Sequence, residues 1–321
     1  MMVENELHTV LGSGPLGLSV ARELLARGKR VRMVNRGGKA PAGVAVAAEF
    51  VGADLYNSQD VTRVAQGAAV VYQCAQPHYW EWPQKFPPLQ AAIIEGLTGT
   101  GTKLVIGENT YMYGDTNGKP LTEALPYAAT TRKGKVRAAM SEAALAAHKA
   151  GKVRVTMGRG SDFFGPFALD SGLGDRAFLP ALQGKAAQTA GDPDALHTYT
   201  FIDDFGKALV VLGERDEALG QAWHVPNPET LTTRQVVNLI FQEIGQPAKL
   251  STMGKMMMRI GGIFIPGARE MVEMMYEFEK PFVVDSSKFT KAFGMQATPW
   301  KAALHETIDW YRSYAATQEK K

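Results

Sequence analysis

Over the first half of the chain, short apolar runs alternate with longer stretches in which apolar residues recur at helical spacing. The run His8-Thr9-Val10-Leu11 meets Gly12-Ser13-Gly14-Pro15-Leu16-Gly17, and an alanine- and leucine-rich helical pattern follows to Arg27, where Gly28 stops it. Arg30–Asn35 alternates like a strand, and Glu49–Leu55 reads as a third. Asn57–Ala65 predicts a short helix capped near Ser58. Ala69–Ala75 is an apolar run broken only by Gln73, as a parallel strand covered on both faces should be. The pattern then predicts a helix over Pro88–Leu97, a strand over Lys103–Glu108, a long helix over Arg132–Ala150 and a strand over Val153–Met157. Six strands alternating with helices predict an α/β fold built on a doubly wound parallel Rossmann sheet with right-handed crossovers.

Beyond Gly165-Pro166 the regularity breaks down. Turns at Gly191-Asp192-Pro193-Asp194 and Pro226-Asn227-Pro228 divide shorter elements, and Thr232 announces a helix over Thr233–Ile244 that Gly245 ends. A methionine-rich stretch (Met253 to Met275) leads to a last helix at about Lys301–Tyr314 and a tail, Thr317–Lys321, expected to be disordered. Residues 1–166 are therefore expected to form a dinucleotide-binding domain, to which about 197–226 return. Residues 167–321 should form most of a smaller, mixed substrate domain.

Composition narrows the partners. With 45% apolar and 21% charged residues, the 321-residue chain can bury a sizeable core. A net charge of +3 is too small to point to nucleic acid or to an anionic membrane surface. The start, Met1 to Glu6, lacks the apolar core of a signal peptide, and no run nears the length of a membrane span. A single cysteine, Cys74, allows no internal disulfide and fits a cytoplasmic setting; its apolar neighbours mark it as a small buried hydrophobe.

The chemistry starts at the glycine turn. Gly12 allows the chain to leave a strand tightly, Gly14 leaves room for a pyrophosphate, and Gly17 lets the helix pack closely on the sheet. Pro15 suits the first helical turn, and the helix N-terminus, at Ser13 and Leu16 as well, offers N–H groups to a phosphate. At the end of the second strand an acidic residue would bind a ribose 2′-OH. Here stand Asn35 and Arg36, so NADP(H) is the expected cofactor and NAD(H) the second. Asp54, Leu55, Cys74, Ala75 and Gln76, at the ends of the next strands, complete the expected cofactor contacts.

On these motifs the chain resembles the extended short-chain dehydrogenase/reductases, the group of NAD-dependent epimerases and dehydratases. Tyr113-Gly114, Lys135, Arg159 to Pro166, Asp203-Asp204 and Asp285 to Gly294 are similar to family stretches in the right order. The resemblance implies that Lys135 contacts the cofactor ribose, and it admits a homodimer through the helices over Pro88–Leu97 and Arg132–Ala150. Departures matter as much. Counting back from Lys135 puts Thr131 where the family has its catalytic tyrosine, Asn109 replaces the family's serine or threonine, and Leu11 replaces an additional glycine.

In an open α/β sheet, ligands bind beyond the carboxyl ends of the strands. Three loops should open there: Gln76 to Trp82, Asn109 to Tyr113, and Ser161 to Phe164. Tyr111 is the candidate proton donor, with Asn109 and Thr110 polarising the substrate oxygen. His78, Tyr79, Trp80, Tyr113, Asp162, Phe163, Phe164, Met257 and Tyr276 are the candidate substrate contacts, with Met256 and Phe264 as further lining, which suggests a small, fairly apolar or ring-shaped substrate. The adjacent Asp203 and Asp204 point in different directions, so no metal site is expected. The favoured reading is an NAD(P)(H)-dependent oxidoreductase acting on a carbonyl or enone. A redox sensor that binds NADP without catalysis and a nucleotide-sugar epimerase or dehydratase are the alternatives.

Overall fold

The computed structural model describes residues 6–261 and 266–318. Apolar strands buried on both faces need helices on both sides, and the first part of the chain supplies them in alternation. The elements run β1 (Leu7–Leu11), α1 (Pro15–Ala26), β2 (Arg30–Asn35), β3 (Glu49–Gly52), α2 (Ser58–Ala65), β4 (Ala68–Gln73), α3 (Trp82–Leu97), β5 (Lys103–Glu108), α4 (Arg132–Lys149) and β6 (Arg154–Arg159). Next come β7 (Asp162–Phe164), α5 (Asp175–Leu182), β8 (Ala187–Ala190), β9 (Leu196–His197), β10 (Tyr199–Phe201), α6 (Ile202–Glu214), β11 (Ala222–His224), β12 (Leu231–Thr232), α7 (Thr233–Ile244) and β13 (Leu250–Met253). Short helices α8 (Lys255–Gly261), α9 (Pro266–Met271), α10 (Tyr276–Glu279) and α11 (Ser287–Phe293) precede the closing α12 (Trp300–Gln318).

Seven strands form one parallel sheet in the order β11-β6-β5-β4-β1-β2-β3. The order reverses direction at β1 and β4, which places a crevice at their carboxyl ends. The expected doubly wound sheet is present. Two compact units divide the chain. One holds the described residues up to Met112 with Arg132–Gly160 and Phe205–Val225; the other holds Tyr113–Thr131, Ser161–Asp204 and the described residues from Pro226. The first has its core around Leu11, Val34, Val71, Phe86, Ile93, Leu104 and Met157. The second packs Phe164, Phe178, Phe201, Val237, Phe241, Trp300 and Tyr311 together. Among the described residues no helix is long and apolar enough to cross a membrane.

Local hydrogen bonding accounts for the boundaries that differ from the sequence pattern. β3 ends at Gly52, short of Leu55, because the Asp54 N–H donates to the Asp60 carboxylate (2.9 Å) and the Asp54 carboxylate takes the Tyr56 N–H (3.0 Å). The cap of α2 is Asn57, not Ser58: its Oδ1 accepts from the Gln59 and Asp60 N–H groups at 2.9 and 3.3 Å. β4 stops at Gln73, two residues short of Ala75, whose backbone lies against Gly12. α3 begins six residues before Pro88. Pro87 and Pro88 each remove a helical hydrogen bond, but Trp82, Phe86, Leu89 and Ile93 bury one continuous face. β6 continues two residues past Met157, so that Arg159 pairs with Glu108 across the sheet. Thr232 caps α7 as expected, and Gln235 completes a capping box with it. At the end of the chain α12 runs through Thr317 to Gln318, so those two tail residues are helical. Residues 319–321, the N-terminal stretch 1–5 and Phe264 lie outside the described residues.

Candidate active site

The glycine turn is built from close approaches. Gly12 has φ +105°, and a Cβ there would stand 2.7 Å from the Ala75 nitrogen. Its own N–H donates to the Val34 carbonyl at 2.8 Å, tying the turn to β2. A Cβ on Gly17 would collide with the Gly12 carbonyl oxygen, so α1 can seat only on glycine. Gly14 differs from both. It is the N-cap of α1 with ordinary backbone angles (φ −78°, ψ −174°), and nothing lies within 4 Å of where its Cβ would be. Pro15 opens the helix, so the N–H groups of Leu16 and Gly17 sit in the first turn, where the helix offers them no partner. Open space before a helix N-terminus is where a pyrophosphate can be bound.

Around it, Asn35 donates through Nδ2 to Ser13 Oγ (3.0 Å) and to the Lys39 carbonyl (2.8 Å), which pins the end of β2. Arg36 follows, exposed, and no carboxylate occupies Asn35 or Arg36, where a ribose would lie. Leu55 is buried and Asp54 exposed beyond β3. Cys74 and Ala75 are half-buried after β4 and Gln76 is exposed. Burial pushes the Cys74 thiol well above its usual range, so it stays protonated and unreactive.

Beyond β5 the chain makes one tight helical turn, Tyr111–Tyr113. Asn109 caps it: its Oδ1 accepts the Tyr111 N–H at 3.3 Å. Thr110 is buried and Tyr111 half-buried. The Tyr79 hydroxyl donates to the Tyr111 hydroxyl at 3.4 Å. Thr131, half-buried, precedes α4. Lys135, expected to contact the cofactor ribose, has an exposed side chain. Two residues along an α-helix turn the side chain by about 200°, to the opposite face. The enclosed lysine is Lys133, fully buried, with its Nζ 4.4 Å from the centre of the Tyr79 ring. Four and eight residues on from it, Arg137 and Ser141 are buried too.

Those residues surround Glu108, the last residue of β5. Its carboxylate takes the Arg159 Nε–H at 3.0 Å and the Ser141 hydroxyl at 2.7 Å, and Arg137 Nη2 lies 3.6 Å away. Burial works against the Arg137 charge, Glu108 supports it, and its guanidinium stacks 4.8 Å from the Phe86 ring centre. Charged groups outnumber their countercharge in this buried cluster. The sequence reading missed it, although Lys133, Arg137 and Ser141 at i, i+4, i+8 form a visible polar stripe.

The remaining expected substrate residues fall into three groups. His78 and Trp80 are exposed and stacked on each other, ring centres 4.8 Å apart. Tyr113 is buried against Tyr127, and Phe164 is sealed between Phe201 and Trp300 in the second core, so Phe164 is a packing residue and not a lining one. Met257 and its neighbour Met256 are exposed on α8, whereas Met258, Met274 and Met275 are buried. Phe163 is half-buried. Asp162 and Tyr276 share a cluster that no sequence signal revealed. His197 Nδ1 donates to the Glu277 carbonyl (3.1 Å), its Nε2 lies 2.8 Å from the Asp162 carboxylate, and Tyr276 donates to the Glu277 carboxyl (3.3 Å). Burial first, and then the Asp162 charge, push the Glu277 carboxyl far above the usual range. Asp204 accepts from the Thr298 N–H and hydroxyl at 2.6 and 2.8 Å, an anchor for the loop before α12. Among the described residues no three His, Cys, Asp or Glu side chains are placed to hold a metal.

A parallel sheet with this strand order, a glycine turn and an open helix N-terminus at its crevice define a Rossmann protein built to hold a dinucleotide. Residues 9–225 match the NAD dependent epimerase/dehydratase family, and the chain belongs to it, an enzyme of the extended short-chain dehydrogenase/reductase type. Among curated proteins no sequence matches the chain. Several solved structures share its fold. UDP-glucuronic acid 4-epimerase from Bacillus cereus in complex with NAD superposes with a TM-score of 0.76 at 17% identity, over 96% of this chain and 99% of that one. dTDP-glucose 4,6-dehydratase from Bacillus anthracis in complex with NAD gives 0.77 at 16%, covering 96% and 97%. An epimerase from Methanothermobacter thermautotrophicus gives 0.80 at 14%, covering 99% and 95%.

Proposed function

We propose that this chain is a nicotinamide-dinucleotide oxidoreductase that moves a hydride to or from a carbonyl or alcohol carbon of a small substrate. The observation that carries the reading is the open space at Gly14, before the N-terminus of α1, in a turn whose Gly12 and Gly17 pack against backbone. The N–H groups of Leu16 and Gly17 would hold the pyrophosphate, Ser13 and Asn35 the adenosine ribose, with Asp54, Leu55 and Ala75 along the same strand ends. Arg36, with no carboxylate beside it in the turn, supports NADP(H) over NAD(H), since a guanidinium pairs with a 2′-phosphate. The bound nicotinamide would supply the hydride acceptor or donor.

The protein's own part is proton handling. Lys133, enclosed on α4, takes the cofactor-side role first assigned to Lys135. Counting back four residues from it gives Ala129, which has no proton to offer. Tyr111 is then the donor to the substrate oxygen, with Asn109 holding its turn and Thr110 beside it. His78 and Trp80 are aromatic groups left open to contact a substrate.

A second reading has support of its own. The family match, and the NAD-bound sugar-nucleotide enzymes that share the fold, favour a nucleotide sugar as the substrate. The test is direct. The purified protein is titrated with NADPH and NADH, following the fluorescence of Trp80 and Trp82, and the bound form is then offered carbonyl compounds and nucleotide sugars. Tight NADPH binding followed by oxidation in the presence of a carbonyl supports the first reading. Turnover of a nucleotide sugar with no net cofactor oxidation supports the second. Binding of neither cofactor refutes both.

A further inference from the structure

A cavity of about 420 Å³ opens within the second unit, where the loop after β11 meets the segment that carries α11. That is room enough for a small molecule. Asn227 and Thr230 line it from the loop, and Asp285 and Lys291 from the segment. The hydrogen bonds behind this lining leave donors over. Thr200 Oγ1 accepts the Ser161 N–H at 2.8 Å, so its own proton goes to Asn227 Oδ1, 2.6 Å away. That bond settles which end of the Asn227 amide is the oxygen, and the other end, Nδ2, is enclosed and has no acceptor among the described residues. Thr198 repeats the arrangement. Its Oγ1, fully buried, accepts the Val284 N–H at 3.0 Å, and its proton goes to Thr230 Oγ1 at 2.8 Å. The Thr230 proton is thereby left for the cavity. Lys291 is exposed on α11 and forms no ion pair among the described residues.

We propose that this cavity binds the phosphate or carboxylate group of a small molecule, with Asn227 Nδ2, the Thr230 hydroxyl and Lys291 Nζ as its donors. An amide N–H, a hydroxyl and an ammonium that lack acceptors call for a ligand rich in oxygen lone pairs, and an oxyanion supplies several around one centre. Asp285 works against it. The Ser287 N–H occupies its Oδ1 at 2.8 Å, but the carboxylate charge still opposes an anion. The surplus in the lining is therefore one of donors, with Lys291 as the single cation that favours an anion over a neutral sugar. An amine would meet the opposite arrangement, three donors and one partly used carboxylate. All the named groups belong to the second unit, so the site is complete without the glycine turn and stands whether or not that turn holds a dinucleotide.

Isothermal titration calorimetry of the full chain at constant ionic strength tests the site, with inorganic phosphate, succinate and glucose as separate probes. The wild type should give saturable heat with phosphate or succinate. Phosphate alone identifies the ligand group as a phosphate, succinate alone as a carboxylate. Lys291→Gln, at an exposed position, should weaken that binding about tenfold, the worth of one charge-assisted hydrogen bond. Asp285→Asn keeps an acceptor for the Ser287 N–H and should tighten it. The glycine turn can also take phosphate, so Gly14→Ala serves as the control and should retain the binding that Lys291→Gln weakens. Binding that Lys291→Gln leaves unchanged, binding that Gly14→Ala abolishes, heat from glucose alone, or no saturable heat from any probe overturns the proposal.

Discussion

Gly14 and Gly17 lie three residues apart in one turn, and replacing each with alanine should fail for different reasons. A Cβ at Gly17 would fall inside the Gly12 carbonyl, 3.0 Å from its carbon and closer to its oxygen. Backbone on both sides must move, so α1 retreats from β1. Overpacking of this kind costs about 1–3 kcal/mol, and the turn is distorted with it. At Gly14 a methyl meets nothing within 4 Å, and φ −78° suits any residue. Gly14→Ala should therefore lose less than about 1 kcal/mol of stability, the small preference of a helix cap for glycine over alanine. Its methyl, however, fills the space a pyrophosphate must enter. Losing one charge-assisted N–H contact to phosphate costs about 2 kcal/mol, or roughly 30-fold in Kd. Urea denaturation and NADH titration separate the two. Gly17→Ala should shift the denaturation midpoint and weaken binding; Gly14→Ala should weaken binding alone. If Gly14→Ala binds NADH and NADPH as tightly as the wild type, that space is not the pyrophosphate site and the functional reading loses its main support.

Three further outcomes follow from the same structure. Glu108→Gln removes the countercharge of two buried guanidiniums while keeping shape and an acceptor for Ser141, and should cost about 3–5 kcal/mol in denaturation measurements; a loss below about 1 kcal/mol would mean that Arg137 and Arg159 do not depend on it. The raised Glu277 pKa makes stability fall as pH rises: above the unfolded carboxyl's pKa, near 4.3, the unfolded chain releases a proton that the folded chain keeps, so the unfolded state gains until the folded pKa is passed. Glu277→Gln should flatten that part of the stability–pH curve, and an unchanged slope would count against a buried neutral Glu277. Arg36→Ala should weaken NADPH binding by about 1–3 kcal/mol and leave NADH binding unchanged; equal loss for both cofactors would remove the 2′-phosphate argument.

The sheet was legible because its physics is local and periodic. β5 was predicted residue for residue, and α7 from its Thr232 cap, since an apolar run and a cap are written in consecutive positions. Boundaries moved where a bond came from outside the segment. Asp60 reaches back to end β3, and the Glu108–Arg159 pair extends β6 beyond its last apolar residue. The partners lie six and 51 residues apart, outside the apolar pattern of the strand that each bond ends or extends. The start of α3 is a related case. Prolines argue against a helix one residue at a time, while the face formed by Trp82, Phe86, Leu89 and Ile93 acts over three turns and wins.

The site divides the same way. The glycine turn could be read because each glycine's reason lies within six residues or across one strand, whereas the Asp162–His197–Glu277 cluster joins residues 35 and 80 apart and left no trace in the pattern. Lys135 and Lys133 show a third limit of the sequence. A family motif was matched by counting, and counting is blind to which face of a helix a residue occupies. α4 shows almost no amphipathic contrast in its apolar residues, because its inward stripe is Lys133, Arg137 and Ser141, and the apolar pattern that would set the phase is diluted by them. A buried polar stripe is costly unless every member is satisfied or used. Glu108 satisfies part of this one, and two nitrogens of Arg137 have no hydrogen-bond partner.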